Sequence, residues 1–175
     1  MGDHPIRATR SEPETGRCRG PDEAARRAAD IVGRLSDASR WLQFLGTKKE
    51  LSPAELRYLT EVDHHDHDAL AALDQASGRG VGVARYIRLT GRPQTAEVAV
   101  TVVDGWQGRG LGTELLTQLS GRARQEGIRR FNAVASADNA AAAGLLRTAG
   151  AELVRCGHGT AEYEITLTPA AVGLR

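Results

Sequence analysis

Between an apolar run, AEVAVTVV at residues 96–103, and a leucine-rich stretch that starts at Leu111, the chain reads DGWQGRGLG. Glycines alternate at 108, 110 and 112, with Gln107 and Arg109 set among them. Glycine permits backbone angles closed to other residues and lets a ligand touch the chain itself. A helix starting here presents unpaired N–H groups and a partial positive charge, which together suit a phosphate. Arg109 adds a fixed charge and a fork of donors. The stretch reads as a pyrophosphate cradle. A Walker loop would end in Gly-Lys-Ser or Gly-Lys-Thr, and neither is here. A dinucleotide fingerprint needs glycine at its sixth position, where counting from Gly108 finds Thr113, and a repeated βαβ setting the chain lacks. On these residues alone, a tight strand-to-helix turn without a ligand stays open.

The elements that would hold such a loop are legible as periodicities. In AEVAVTVV, Val98, Val100 and Val102 share one strand face, with Glu97, Ala99, Thr101 and Val103 on the other. Leu111, Leu115, Leu116, Leu119 and Ala123 mark one face of a helix. DNAAAAGLLRTAG is an alanine-rich helix capped by Asp138 or Asn139 and closed by Gly150. Upstream, Ala25, Ala28, Ala29, Val32 and Leu35 give helical spacing over residues 21–40. Ser52, Pro53 and Glu55 then give a second helix start. DALAALD and VGVARYIRL flank a glycine-containing hairpin turn, QASGRG, while RRFNAVAS, AELVRC and AEYEITL supply further strands. Helices first, then an antiparallel run, then strand–helix–strand–helix predict a mixed sheet with a parallel crossover near its centre.

QGRGLG matches the Gln/Arg-x-x-Gly-x-Gly/Ala signature of the GNAT (Gcn5-related) N-acetyltransferases, with a strand before it and an amphipathic helix after. DNAAAAGLLRTAGAELV resembles that family's second motif, in which asparagine opens a helix that ends in glycine. The resemblance spans residues 12–168. It implies an α/β (α+β) GNAT fold: a mixed, mostly antiparallel sheet of about seven strands, flanked by about four helices and splayed between strands 4 and 5. Residues 12–175 are then one domain and residues 1–11 a mobile tail. It also implies acetyl-CoA as the cosubstrate. The backbone N–H groups of Gln107, Gly108, Arg109, Gly110, Leu111, Gly112 and Thr113 would hold the pyrophosphate. Main-chain groups of Val102 and Val103, with Asn139, would hold the pantetheine arm.

Acetyl transfer to an amine needs a base, because a lysine amine has a reference pKa near 10.4. Glutamate on this strand is the base in related protein acetyltransferases, and the resemblance places Glu97 there. A strand N–H freed by the splay can stabilise the charge that develops on the thioester oxygen. Many members carry a tyrosine seven residues after the asparagine, as the acid for the leaving sulfur; here that place is Leu146. A simple thiol has a pKa of about 8.5, well below an alkylamine, so thiolate leaves the more readily even unaided. Losing the acid should cost less than losing the base.

The stretch from Leu35 to Leu73, with GVARYIRL, AEVAVTVVDGWQGRGLGTELL and GIRRFNAVASADN, is similar to the acetyltransferase domain of bacterial Pat-type protein lysine acetyltransferases. The acceptor it implies is a protein lysine, for example on an acyl-CoA synthetase. A small-molecule amine acetyltransferase or a non-catalytic acetyl-CoA sensor are the rival readings. A net charge of +1 gives no electrostatic argument for nucleic acid or an anionic membrane. No apolar run approaches the roughly 18 residues of a membrane span, and the expected location is the cytoplasm. Cys18 and Cys156 lie far apart and read as reduced thiols. His64, His65 and His67 stand with Asp63, Asp66 and Asp68 in VDHHDHD just before a strand, where consecutive side chains point in alternating directions and diverge. A polar loop is expected there and no metal site. Trp41 and Phe44 read as core, while Trp106 stands beside the glycine loop.

Overall fold

The computed structural model describes residues 6–10 (backbone only), 30–31, 33–36, 52–54, 62–74 and 76–167. Seven strands form one sheet: β1 (Ile6–Arg10), β2 (His67–Asp74), β3 (Gly80–Leu89), β4 (Arg92–Val102), β5 (Arg130–Ser136), β6 (Glu152–Gly157) and β7 (Thr160–Thr166). Their spatial order is β1-β2-β3-β4-β5-β7-β6, and every neighbouring pair is antiparallel except β4 with β5. Helix α1 (Leu111–Gln125) connects that parallel pair, and α2 (Ala140–Thr148) links β5 to β6. Of the two upstream helices expected from sequence, helical backbone is described only near residues 30–33 and at 53–54. Their remainder, with Cys18, Trp41 and Phe44, lies outside the described residues.

Residues 6–10, expected in a mobile tail, instead form an edge strand that pairs Ile6 with Asp74 and Arg10 with Leu70. β4 is also longer at its start than the apolar run suggested. Arg92 to Thr95 extend it back to a turn in which Gly91 has φ +76° and Arg92 pairs with Leu89.

One face of the sheet carries the core. Leu70, Ala72, Ala84, Tyr86, Ala96, Val98, Phe131, Ala133, Tyr163 and Ile165 are all buried with the apolar stripe of α1. That stripe comprises the five positions its spacing marked, Leu111, Leu115, Leu116, Leu119 and Ala123. A Cβ on Gly82 would lie 3.1 Å from Leu115 Cδ1 and 3.2 Å from the Thr101 carbonyl oxygen. Glycine there lets α1 settle on the strands.

Candidate active site

The parallel ladder between β4 and β5 is short. It pairs Thr95 with Arg130, Ala96 with Phe131 and Glu97 with Asn132, and then stops, although β4 continues to Val102 and β5 to Ser136. Hydrogen bonds fix which backbone groups face the gap. Val103 N–H donates to the Val81 carbonyl at 3.0 Å, and on the other side the Gln94 carbonyl accepts from Arg129 N–H at 2.8 Å. Backbone direction alternates along a strand. Odd-numbered residues of β4 therefore turn to β3, while Val100 and Val102 turn to the open side.

Just past β4 the chain makes a 3₁₀ turn at Asp104–Trp106, then Gly108 at φ +69° and Gly110 at φ +81°. Both angles are left-handed, which favours glycine. A Cβ at either would meet nothing within 4 Å, so conformation, not crowding, calls for glycine there. Gly112 differs: its Cβ would stand 3.2 Å from Leu145 Cδ2 and 3.7 Å from Val102 Cγ2. The third glycine serves the close approach of α1 to α2. Among the described residues, no acceptor takes the N–H groups of residues 108–113. That row opens on a cleft of about 400 Å³ lined by Val100, Thr101 and Val102, by the starts of α1 and α2, by Trp106 and by Leu35.

The sequence-derived residues divide on this geometry. Gly108, Gly110, Leu111, Gly112, Thr113, Val102 and Asn139 line the cleft. Gln107 also lines it, but its N–H goes to the Asp104 carbonyl at 3.2 Å. Its side chain donates to the Val102 carbonyl at 3.0 Å and to Asp104 Oδ1 at 3.1 Å. Gln107 thus ties the loop to the end of β4 rather than reaching outward. Arg109 lies with its guanidinium 5.1 Å above the Trp106 ring, outside the lining. Val103 corrects the expectation: it is buried, its N–H goes to Val81, and its carbonyl accepts Trp106 N–H at 2.8 Å. Val100 takes its place on the lining.

Asn139 caps α2, its Oδ1 accepting Ala142 N–H at 2.9 Å, which leaves the carboxamide N–H groups for a ligand. Leu146 is 6% exposed in the core, not on the cleft, and has no proton to give. Glu97 is exposed, on the sheet face opposite α1, in register with Ile87 and Asn132.

The histidine-rich turn is built by pairwise contacts. Asp63 Oδ1 accepts the N–H groups of His65, Asp66 and His67 at 2.8–2.9 Å. Burial works against that charge, but the three donors win and hold the Asp63 carboxyl below its ordinary range. His64 Nδ1 meets the buried Asp68 at 2.8 Å, His65 Nδ1 meets Glu126 at 2.6 Å, and Arg88 Nε meets Asp66 at 2.6 Å. Burial, with the Arg85 charge, pushes His67 below the usual imidazole pKa. Among the described residues, no three of these side chains gather as a metal site.

Comparison with known proteins agrees with this architecture. The acetyltransferase (GNAT) family matches residues 37–151. An acetyltransferase of Pseudomonas aeruginosa is 38% identical over 122 residues, covering 69% of this chain and 65% of that protein. The acetyltransferase Pat of Mycolicibacterium smegmatis is 38% identical over 135 residues, covering 77% of this chain and 40% of Pat. The chain thus spans less than two thirds of each of these relatives. The crystal structure of the GNAT domain of S. lividans PAT superposes with a TM-score of 0.76 at 28% identity, covering 92% of this chain and 89% of that domain. With the splayed strands and the glycine-bounded helix start in place, the chain belongs to the GNAT acetyltransferase family.

Proposed function

We propose that this chain transfers the acetyl group of acetyl-CoA to a primary amine, and that the amine is a lysine side chain of a protein. One observation carries the cofactor half: among the described residues the N–H groups of residues 108–113 have no acceptor, and Gly108, Gly110, Leu111, Gly112 and Thr113 line the cleft beside the gap in the sheet. Unmet donors at a helix start favour an anion of pyrophosphate type. The open edge of β4 at Val100 and Val102 then offers main-chain groups to an extended amide-bearing arm, with the Asn139 carboxamide across the cleft.

Acetyl-CoA supplies a thioester carbonyl. The amine nitrogen forms the new C–N bond, the C–S bond breaks, and coenzyme A leaves as thiolate. At pH near 7.4 only about one lysine amine in a thousand is neutral. Its N–H becomes acidic as the C–N bond forms, and Glu97 takes that proton directly or through water. The N–H of Val100, on the open side of β4, supports charge developing on the carbonyl oxygen. Leu146 offers no proton, so the thiolate leaves without an acid from α2.

Similarity to Pat and to the GNAT domain of PAT supports a protein lysine as acceptor. The test is acetyl transfer to a purified AMP-forming acyl-CoA synthetase, read by intact mass and coenzyme A release, beside Glu97→Gln and a small-amine panel. Transfer to the synthetase that falls about 10²–10⁴-fold in the variant is the expected result. Transfer that survives the variant removes Glu97 as base. Turnover with small amines alone replaces the acceptor. Tight acetyl-CoA binding without turnover makes the chain a sensor.

A further inference from the structure

On the sheet face opposite α1, one row of side chains crosses four strands: Ile87 on β3, Glu97 on β4, Asn132 on β5 and Glu164 on β7. Glu164 is held by Arg130 Nε at 3.1 Å, and Glu162, two positions along, by Arg155. Glu97 and Asn132 are different. They face each other in the last paired step before the strands part, and among the described residues neither side chain has a hydrogen-bond or ion-pair partner. Asn132 Oδ1 is also shut off from solvent. A buried carboxamide oxygen without a donor costs stability, and native interiors seldom keep one. It makes physical sense where the half-buried Asn132 turns its carboxamide toward the gap and a ligand brings the missing donor.

We infer that Asn132 positions the acceptor: its carboxamide oxygen accepts one N–H of the incoming amine while Glu97 receives the proton that leaves. The inference rests on the acetyl-transfer reading of the site. An attacking nitrogen must aim its lone pair at the carbonyl carbon, which fixes where its N–H bonds point. Two acceptors on strands about 4.8 Å apart can hold two such bonds and set rotation about the carbon–nitrogen axis. The choice of amide over acid also follows. A second carboxylate this close to Glu97 would raise the pKa of one of the pair and weaken it as a base near neutrality. A neutral acceptor orients the amine and leaves Glu97 ionised.

The experiment compares Asn132→Ala, Asn132→Asp and Glu97→Gln in the full chain. Melting temperature and acetyl-CoA affinity are measured first, then steady-state transfer to the acyl-CoA synthetase and to Nα-acetyl-lysine amide across pH. Asn132→Ala is expected to leave the melting temperature unchanged or raised and acetyl-CoA affinity intact, while acceptor KM rises about tenfold. Asn132→Asp should move the acid limb of the rate–pH profile upward. If Asn132→Ala instead lowers the melting temperature and leaves acceptor KM alone, the carboxamide is structural and the inference is overturned. An unchanged rate and pH profile in Glu97→Gln would remove the base but not the effect of Asn132 on acceptor KM. Wild-type protein that binds acetyl-CoA yet acetylates neither probe overturns both.

Discussion

Replacing Gly110 with alanine tests whether the loop is held by backbone conformation or by contact. Gly110 sits at φ +81° as the residue before α1, and a Cβ there would meet nothing within 4 Å. Sterics therefore contribute nothing, and the whole effect comes from the left-handed backbone. An L-residue in that region costs roughly 1–2 kcal/mol. Alanine also narrows the unfolded ensemble, which offsets about 0.4–1 kcal/mol. The net loss is about 1 kcal/mol, which for a chain of this size lowers the melting temperature by about 2–4 °C. Gly112→Ala is the matched control. Gly112 lies inside α1 with no positive φ, alanine gains up to about 1 kcal/mol of helix propensity, and its one close neighbour at 3.2 Å is the flexible end of Leu145. Gly110→Ala should therefore be the less stable of the two, although both change the same motif.

The assay is thermal unfolding with and without saturating acetyl-CoA. Bound ligand stabilises by mass action, so the ligand-induced rise reports whether the N–H row survives. If alanine bears the strain, the rise is retained in Gly110→Ala. If the loop relaxes, the basal loss shrinks and the ligand-induced rise shrinks with it. A Gly110→Ala protein as stable as Gly112→Ala, with its full ligand-induced rise, would refute a left-handed Gly110.

Asn139 should separate its two roles by substitution: Asn139→Asp keeps the cap on Ala142 N–H and loses the carboxamide donor, so acetyl-CoA affinity falls with stability near wild type. Asn139→Ala loses both, with about 1 kcal/mol less stability in urea unfolding. Leu146→Tyr, which restores the family's usual residue, should fail to raise kcat, because position 146 packs in the core and not on the cleft; overpacking should lower stability by about 1–3 kcal/mol. Stability in urea should fall as pH drops below 6.5, because burial lowers the His67 pKa in the folded state and the unfolded chain then binds more protons. Asp63 adds a second loss lower down: its lowered carboxyl contributes stability above pH 3.8 that disappears as pH falls through its folded value, and Asp63→Asn should remove that limb.

The parts of the molecule legible in sequence are those whose cause is local. Helix α1 buries the five residues its spacing marks, and Asn139 caps the helix that its own side chain can reach. β1 was hidden because its pairing partner, β2, lies far along the chain and Ile6–Arg10 alternates too briefly to stand out from its polar neighbours. The start of β4 was hidden because Arg92, Pro93 and Gln94 have no apolar pattern and owe their strand to the turn with β3. Val103 was misplaced by one residue of register, since strand alternation gives its N–H to Val81 and the open edge to its neighbours.

The same distinction runs through the site itself. The proposed anion-binding half consists of consecutive backbone groups, which glycine spacing marks, and the structure gives the glycines separate reasons: Gly108 and Gly110 for φ, Gly112 for contact with Leu145. The acceptor half proposed above depends on register across the sheet. Glu97 pairs with Asn132 only because the parallel ladder begins at Thr95 with Arg130, and a slip of one residue would turn Asn132 to the core face and Phe131 away from it. No motif in RRFNAVAS records that register. On the proposed reading, substrate choice follows from side chains that register sets where two strands part, apart from the cofactor signature.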